Sequence, residues 1–321
     1  LTRRMATGTY DIPSVAFTAS SVLTNTVPTI AYRGAGRPEA AAAIERAVDM
    51  FAARIGMDPA EVRRRNVVAP ERFPFRTALG TTYDSGQYAR ALELVLEAAD
   101  YPSLRAEQRR RRESGDRVAL GIGVCSYVEI TAASAGGEYG RVAVHADDIG
   151  GVRATVVTGT TPYGQGHRTA WAMLAADRLG LPLEAITVLH GDTDLIPHSE
   201  VSGASRSLQL GGTNVWRAAG TVLDRAREIA ARRFEADVAD VVMSEGRFHV
   251  VGTPSVSSTW SDVVADAEPD VLDAVGDFEQ ADGTFPSGAH VAVVEVDTET
   301  GKVDRKSTRL NSSHANISYA V

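Results

Sequence analysis

Four stretches of this sequence combine residue types that could do chemistry. In Arg33-Gly34-Ala35-Gly36-Arg37, two glycines precede Pro38, a residue suited to the first turn of a helix. A glycine turn ahead of a helix presents backbone N–H groups to an anion, and flanking arginines add positive charge. The pattern is not GxGxxG, because Glu39 stands at the last glycine position. By spacing alone a strand-to-helix turn with two solvated arginines is the preferred reading. In Gly159–His167, Gly164 and Gly166 flank Gln165 ahead of an expected helix. Glycine permits close backbone approach to a ligand, and a glutamine amide both donates and accepts. An ordinary helix-entry loop fits almost as well.

The third stretch places His190, Asp192, Asp194 and His198 within nine residues. Such a set could ligate a hydrolytic metal. It lacks HExxH spacing, so a strand-end loop in which Asp192 or Asp194 caps a turn is the preferred reading. The fourth is Ser202-Gly203-Ala204-Ser205-Arg206-Ser207, followed by Gly211-Gly212. Ser205 fails the GxSxG pattern at its last position. A hydroxyl-and-backbone cradle for phosphate or oxo groups is more sensible than a serine nucleophile.

Behind these stretches lie the elements that must hold them. Residues 11–32 read as strand and loop. Ile44, Val48, Phe51 and Ile55 fall on one face of a helix that Gly56 would stop. Asp58-Pro59-Ala60-Glu61 opens a second helix as a capping box, and Ser85–Ala99 forms a third. The arginine-rich run 105–117 is expected to be a linker. Beyond it the pattern predicts strands at Val118–Ile130, Glu138–Ala146 and Val152–Gly159. Helices are expected at Arg168–Leu179 and Thr213–Phe234, with a strand at Ala185–His190 between them. Strands at Arg247–Val251 and Ala289–Asp297 flank a short helix at Trp260–Ala267. The mixture is α+β rather than a strict βαβ alternation.

The 321 residues suit two domains, with cores rich in Ala, Val, Leu and Ile. With 33 basic and 41 acidic residues the net charge is −8, which argues against nucleic-acid binding. A single cysteine, Cys125, can form no internal disulfide and no cysteine-rich metal site, and fits a reducing compartment. No apolar run is long enough to cross a membrane. Leu1 is not an initiator methionine, and the chain reads as a piece of a longer one, so location is expected to be cytoplasmic with the periplasm open. The Ser/Asn-rich end, 305–321, reads as a non-native disordered tail resembling translated adaptor sequence.

The order of the motifs says more than any one of them. Three small-residue loops, each feeding a helix, point to helix N-termini converging on one large anionic ligand. In that order the sequence resembles the molybdenum-binding large subunit of the xanthine dehydrogenase / aldehyde oxidase family. The likeness is closest to the form II carbon monoxide dehydrogenase large-subunit-like group. Ala31–Ala40 resembles that group's active-site loop, and Gly164–His167 and Ala204–Ser207 resemble its later cofactor-contact segments. It covers roughly residues 1–304.

The resemblance implies two mixed α/β molybdopterin-binding domains. The first would be partial, at 1–104, and the second truncated, at 118–304. It implies molybdopterin cytosine dinucleotide held by Arg33, Gly34, Gly36, Gln165, Gly166, His167, Ala204, Ser205, Arg206 and Ser207. The metal would be held through the pterin dithiolene, near Arg33 and Ala204. It further implies FAD and [2Fe-2S] clusters on a medium and a small partner subunit, in a dimer of heterotrimers. The activity would be oxidation of an aldehyde, N-heterocycle or similar carbon with water as oxygen source. Copper-dependent family members carry a loop cysteine, which Gly34-Ala35-Gly36 does not supply, so CO oxidation is not expected. The family's general-base glutamate belongs to a Gly-x-Gly-Glu segment that does not occur here, so the piece alone is expected to be inactive. The alternatives are a non-catalytic scaffold for partner subunits or the His/Asp hydrolase.

Overall fold

The computed structural model describes residues 1–312 except Thr29 and Val201. The fold is α+β, and the chain divides into two compact units, Leu1–Thr131 with the segment returning at Thr284, and Ala132–Gly283. These boundaries lie some way from the expected division around 105–117.

In the first unit, strand Ser287–Asp297 runs between Val118–Val128 and Val303–Ser312, antiparallel to both. Its pairing with Val118–Val128 is unbroken from Ser287 opposite Val128 to Asp297 opposite Val118. Alternation along the strands sends Leu120, Val124, Val291 and Val293 to one face. There they meet Leu92, Val95 and Leu96 of helix Tyr88–Ala98.

Two expectations are corrected here. Residues 105–117 are not a linker: helix Tyr101–Ser114 takes up most of them. Its arginines hide the helix from a hydropathy reading, yet they are used locally. Arg111 donates to Glu107 and to Glu295 Oε1 at 2.7 Å, and Gln108 Nε2 donates to the Leu120 carbonyl at 2.9 Å. Nor does a disordered tail begin at 305, because 305–312 pair with Ser287–Asp297 as part of a strand. Residues 313–321 lie outside the described ones.

Helix Arg37–Ile55 also differs from its expected orientation. Phe51 and Ile55 are exposed, and the buried positions are Arg37, Ala40, Glu45 and Ala52. A carboxylate can face the core only when its lone pairs are satisfied. Glu45 accepts from Tyr10 Oη at 2.5 Å, Arg63 Nε at 2.8 Å and the Ser126 amide at 3.1 Å. Asp58 caps the next helix through the Ala60 amide. Glu61 turns away to Arg64 and Arg65, so no reciprocal capping box forms. Residues 11–32 contain no strand among those described, and Val22, Leu23 and Val27 are exposed.

The second unit carries a sheet ordered Asp273–Val275, Gly140–Ala146, Val152–Thr158, Ile186–His190. The first two pairings are antiparallel and the last is parallel. A parallel pair needs a crossover, and helix His167–Leu179 supplies it. Long helix Thr213–Phe234 packs on the same core through Val215, Ala218, Ala219, Val222 and Ala226. Trp171, fully buried, meets the core from the crossover helix. Three further strands, Val241–Ser244, Arg247–Val250 and Thr253–Thr259, form a small antiparallel sheet.

Candidate functional site

The Arg33 turn belongs to the first unit. Gly34, Ala35 and Gly36 take φ values of 95, 36 and 91°, a left-handed run that brings the chain sharply into helix Arg37–Ile55. Glycine is needed at both ends. A Cβ at Gly34 would lie 2.7 Å from the Pro38 ring, and one at Gly36 would lie 2.6 Å from Thr2 Oγ1. Arg33 itself is exposed. Arg37, the other arginine of the motif, is not solvated: it is buried and fixes the turn. Its Nη1 donates to the Gly34 carbonyl at 3.1 Å, its Nε to the Ile130 carbonyl at 3.1 Å, and Glu129 lies 3.4 Å away.

The other two motifs meet within the second unit. Loop 159–166 leaves the end of strand Val152–Thr158 and enters the crossover helix at Gly166, whose φ is 74°. Ser199 and Ser202 lie against it. The Thr161 amide donates to Ser202 Oγ at 2.8 Å, and Ser199 Oγ donates to the Gly159 carbonyl at 2.6 Å. Gln165 is exposed, and its Oε1 accepts from the Tyr163 amide. Among the described residues nothing stands within 4 Å of a Cβ built on Gly164 or Gly166, so this backbone faces open space.

His167 is 5% exposed and stacks on Trp171 with ring centroids 5.2 Å apart. Burial lowers its pKa, so the ring is held neutral against the pull of the Thr160 backbone. Its Nδ1 has no hydrogen-bond partner among the described residues. Ala204 and Ser205 both adopt left-handed backbone, at φ 56 and 55°. Consecutive non-glycine residues there cost about 1–2 kcal/mol each, a strain that clusters at functional sites. Ser207 opens a π-helical stretch, Ser207–Gly212, that leads into helix Thr213–Phe234. Gly211 and Gly212 let this stretch close on Thr160 and Trp171, where a Cβ would come within 2.6 and 2.9 Å of their side chains. Arg206 is 8% exposed, pairs with Glu200, and keeps an Nε with no partner among the described residues.

Sequence reading also passed over Glu138, which is 3% exposed between the two loops. It accepts from the Tyr139 amide at 3.0 Å and the Glu200 amide at 3.2 Å. Burial raises its pKa, opposed by these two bonds and by the Arg206 charge. The only available signal was an acid after Gly136-Gly137 at a strand entry.

The hydrolase constellation does not form. No group of three or more metal-ligating side chains occurs among the described residues. Asp192 Oδ1 caps the Asp194 amide at 2.9 Å, His190 Nε2 receives Arg168 Nε at 3.1 Å, and His198 packs edge-on against Tyr139.

Residues 94–310 match a family model described as a molybdopterin cofactor-binding domain, and residues 2–67 match another of the same description. The chain belongs to the molybdopterin cofactor-binding family, as a molybdenum-binding large subunit of the xanthine dehydrogenase type. This molybdopterin-family chain is 36% identical over 315 residues to the carbon monoxide dehydrogenase large chain of Hydrogenophaga pseudoflava, covering 93% of the chain and 39% of that protein. It is 32% identical to the 6-hydroxypseudooxynicotine dehydrogenase complex subunit gamma of Paenarthrobacter nicotinovorans, covering 94% of the chain and 39% of that subunit. Quinoline 2-oxidoreductase from Pseudomonas putida 86 superposes with a TM-score of 0.84 at 31% identity, over 96% of this chain and 41% of that one. The chain thus spans about two-fifths of the length of these relatives. No helix among its described residues is long and apolar enough to cross a membrane.

Proposed function

We propose that this chain forms part of a molybdenum hydroxylase and holds a molybdopterin, in the cytosine dinucleotide form, at the joined loops of its second unit. One observation carries the reading. Loops 159–166 and 199–206 are bonded to each other through Ser199 and Ser202, and present buried polar atoms, Arg206 Nε and His167 Nδ1, with no hydrogen-bond partner among the described residues. Most buried polar groups in native proteins are satisfied, and these two lie together with exposed glycine backbone, which is what supports a ligand here. The fit extends to the backbone. Gly164 and Gly166 leave open space for close approach, and Ala204 and Ser205 spend strain to hold one shape.

In this reading Gln165, Gly166 and His167 bind one side of the cofactor, and Ala204, Ser205, Arg206 and Ser207 bind the other. Arg206 supplies charge to a phosphate or oxo group. Arg33, Gly34 and Gly36 form the metal-side turn of the first unit. When bound, the cofactor supplies the redox chemistry, removing two electrons from an electron-poor substrate carbon while water supplies the oxygen. Burial of His167 keeps a neutral ring at the site rather than a second positive charge. No residue of this chain is assigned as the general base. Substrates of this class are aldehydes or N-heterocycles, and the turn at Gly34–Gly36 offers no thiol for copper. Cys125 does not substitute for it: it lies half-buried in strand Val118–Val128, and burial pushes its thiol up to about 12. In this reading partner subunits of a cytoplasmic complex would carry the [2Fe-2S] and FAD groups that accept the electrons.

The test is metal and pterin analysis of the full-length subunit in its complex. One molybdenum and one releasable cytidine nucleotide per subunit are expected. A folded, fully loaded complex without molybdenum would end the reading. A scaffold role without a cofactor predicts scattered loops, whereas the two loops of the second unit are bonded together.

A further inference from the structure

We infer that Glu138 is a positioning residue for the cofactor-holding loops: it locks segment 199–206 so that Arg206 faces the ligand. The inference rests on the reading above, that a cofactor occupies these loops. Glu138 touches all the parts that must be aligned. Its Oε2 accepts from the Glu200 amide at 3.2 Å, and Glu200 in turn pairs its carboxylate with Arg206. Its Oε1 accepts from the Tyr139 amide at 3.0 Å, and the Tyr139 carbonyl receives the Gly159 amide at 2.9 Å. A Cβ on Gly159 would lie 2.1 Å from Oε1, so the first loop closes on the carboxylate only because residue 159 is glycine. The Glu138 carbonyl accepts from Asn214 Nδ2 at 2.8 Å, which joins the start of helix Thr213–Phe234 to the same point.

A carboxylate is a costly choice for a buried position, and an apolar side chain of equal size would serve packing better. What the carboxylate adds is a demand for N–H donors in fixed places. The Glu200 amide meets that demand at Oε2. Glu200 then aims its own charge at one side of the Arg206 guanidinium, and Nε stays open. Glu138 thus acts on the ligand through Glu200 and Arg206 and touches no reacting atom.

The test uses the full-length subunit in its complex, as wild type, Glu138→Gln and Glu138→Asp. Glutamine keeps the size but sets an NH2 against one of the two amide donors; aspartate keeps the charge. Molybdenum per subunit, amide hydrogen exchange at 199–206 and the Mo(V) paramagnetic resonance spectrum are measured. Glu138→Gln is expected to hold about tenfold less molybdenum and to exchange about tenfold faster at 199–206, the equivalent of losing one charge-assisted hydrogen bond. The fraction that retains metal is expected to show a shifted spectrum, and Glu138→Asp to retain more metal than Glu138→Gln. A general loss of stability would lower the yield but leave the spectrum and the local exchange as in wild type, and that result would overturn the inference. So would wild-type values in both variants. If Glu138→Gln does not fold, Glu138→Asp decides: faster exchange confined to 199–206 supports the role, and unchanged exchange refutes it. Wild type without molybdenum would sink the cofactor reading, while the exchange comparison would still judge the hold of Glu138 on the segment.

Discussion

Two buried arginines, one in each unit, separate a structural turn from a ligand-ready one. Arg37 uses its guanidinium on the Gly34 and Ile130 carbonyls and on Glu129. Arg206, equally buried, has Glu200 on one side and an Nε with no described partner. Both sit at left-handed turns, and both turns lead toward a long helix. The first arginine builds its loop, and the second is held ready by its loop. Burial and charge therefore do not by themselves mark a binding residue; what sets Arg206 apart is an Nε without a described partner on a loop bonded to the open glycine turn at Gly164–Gly166.

The largest expected effect breaks the second site from beneath. Trp171→Ala removes a fully buried indole and the 2.9 Å bond from its Nε1 to Thr160 Oγ1. It should cost about 3–5 kcal/mol, read as a lowered chemical-denaturation midpoint of the full-length subunit. Next, Arg37→Ala and Arg206→Ala should separate stability from occupancy. Arg37→Ala strands the Gly34 and Ile130 carbonyls and removes a buried charge's pairing, and should cost about 3 kcal/mol. Arg206→Ala should cost less stability yet lose most of the molybdenum. Equal stability losses with full metal content in both would erase the distinction drawn here.

Much of the second unit was legible because its periodicities are clean. Strand Gly140–Ala146 alternates over most of its length, and helices His167–Leu179 and Thr213–Phe234 fall within a residue of expectation. Helix Tyr101–Ser114 was not legible, because ion pairs rather than an apolar stripe stabilise its surface. The orientation of helix Arg37–Ile55 was lost for a related reason. Glu45 faces inward only because Tyr10, Arg63 and Ser126, remote in sequence, satisfy it. Glu138 escaped notice in the same way: beyond the adjacent Tyr139 amide, its partner is the Glu200 amide, which sequence spacing does not bring near.

Glycine substitutions sharpen the contrast at a smaller scale. Gly36→Ala meets both a positive φ and Thr2, and should destabilise by about 2 kcal/mol. Gly166→Ala meets only the positive φ, in open space, and should cost about 1 kcal/mol while still reducing metal content. Thermal melts and metal analysis of both variants check this.

The smallest effect is a pH dependence common to the two units. Burial lowers the pKa of His290 in the first unit and of His167 in the second. Below about pH 6.5 the unfolded state therefore binds more protons than the folded one, and stability falls as pH falls. The melting temperature should drop between pH 7 and pH 5, and less steeply in His290→Gln. An unchanged slope would show that His290 does not carry its share.

The central claim is that the joined loops of the second unit hold the cofactor. Anomalous diffraction at the molybdenum edge, from crystals of the full-length subunit in its complex, tests it directly. The account predicts one metal peak whose pterin nucleotide lies against Gln165–His167 and Ala204–Ser207, with Arg206 Nε bonded to it. A peak whose nucleotide contacts neither loop, or no peak in a loaded complex, would contradict it.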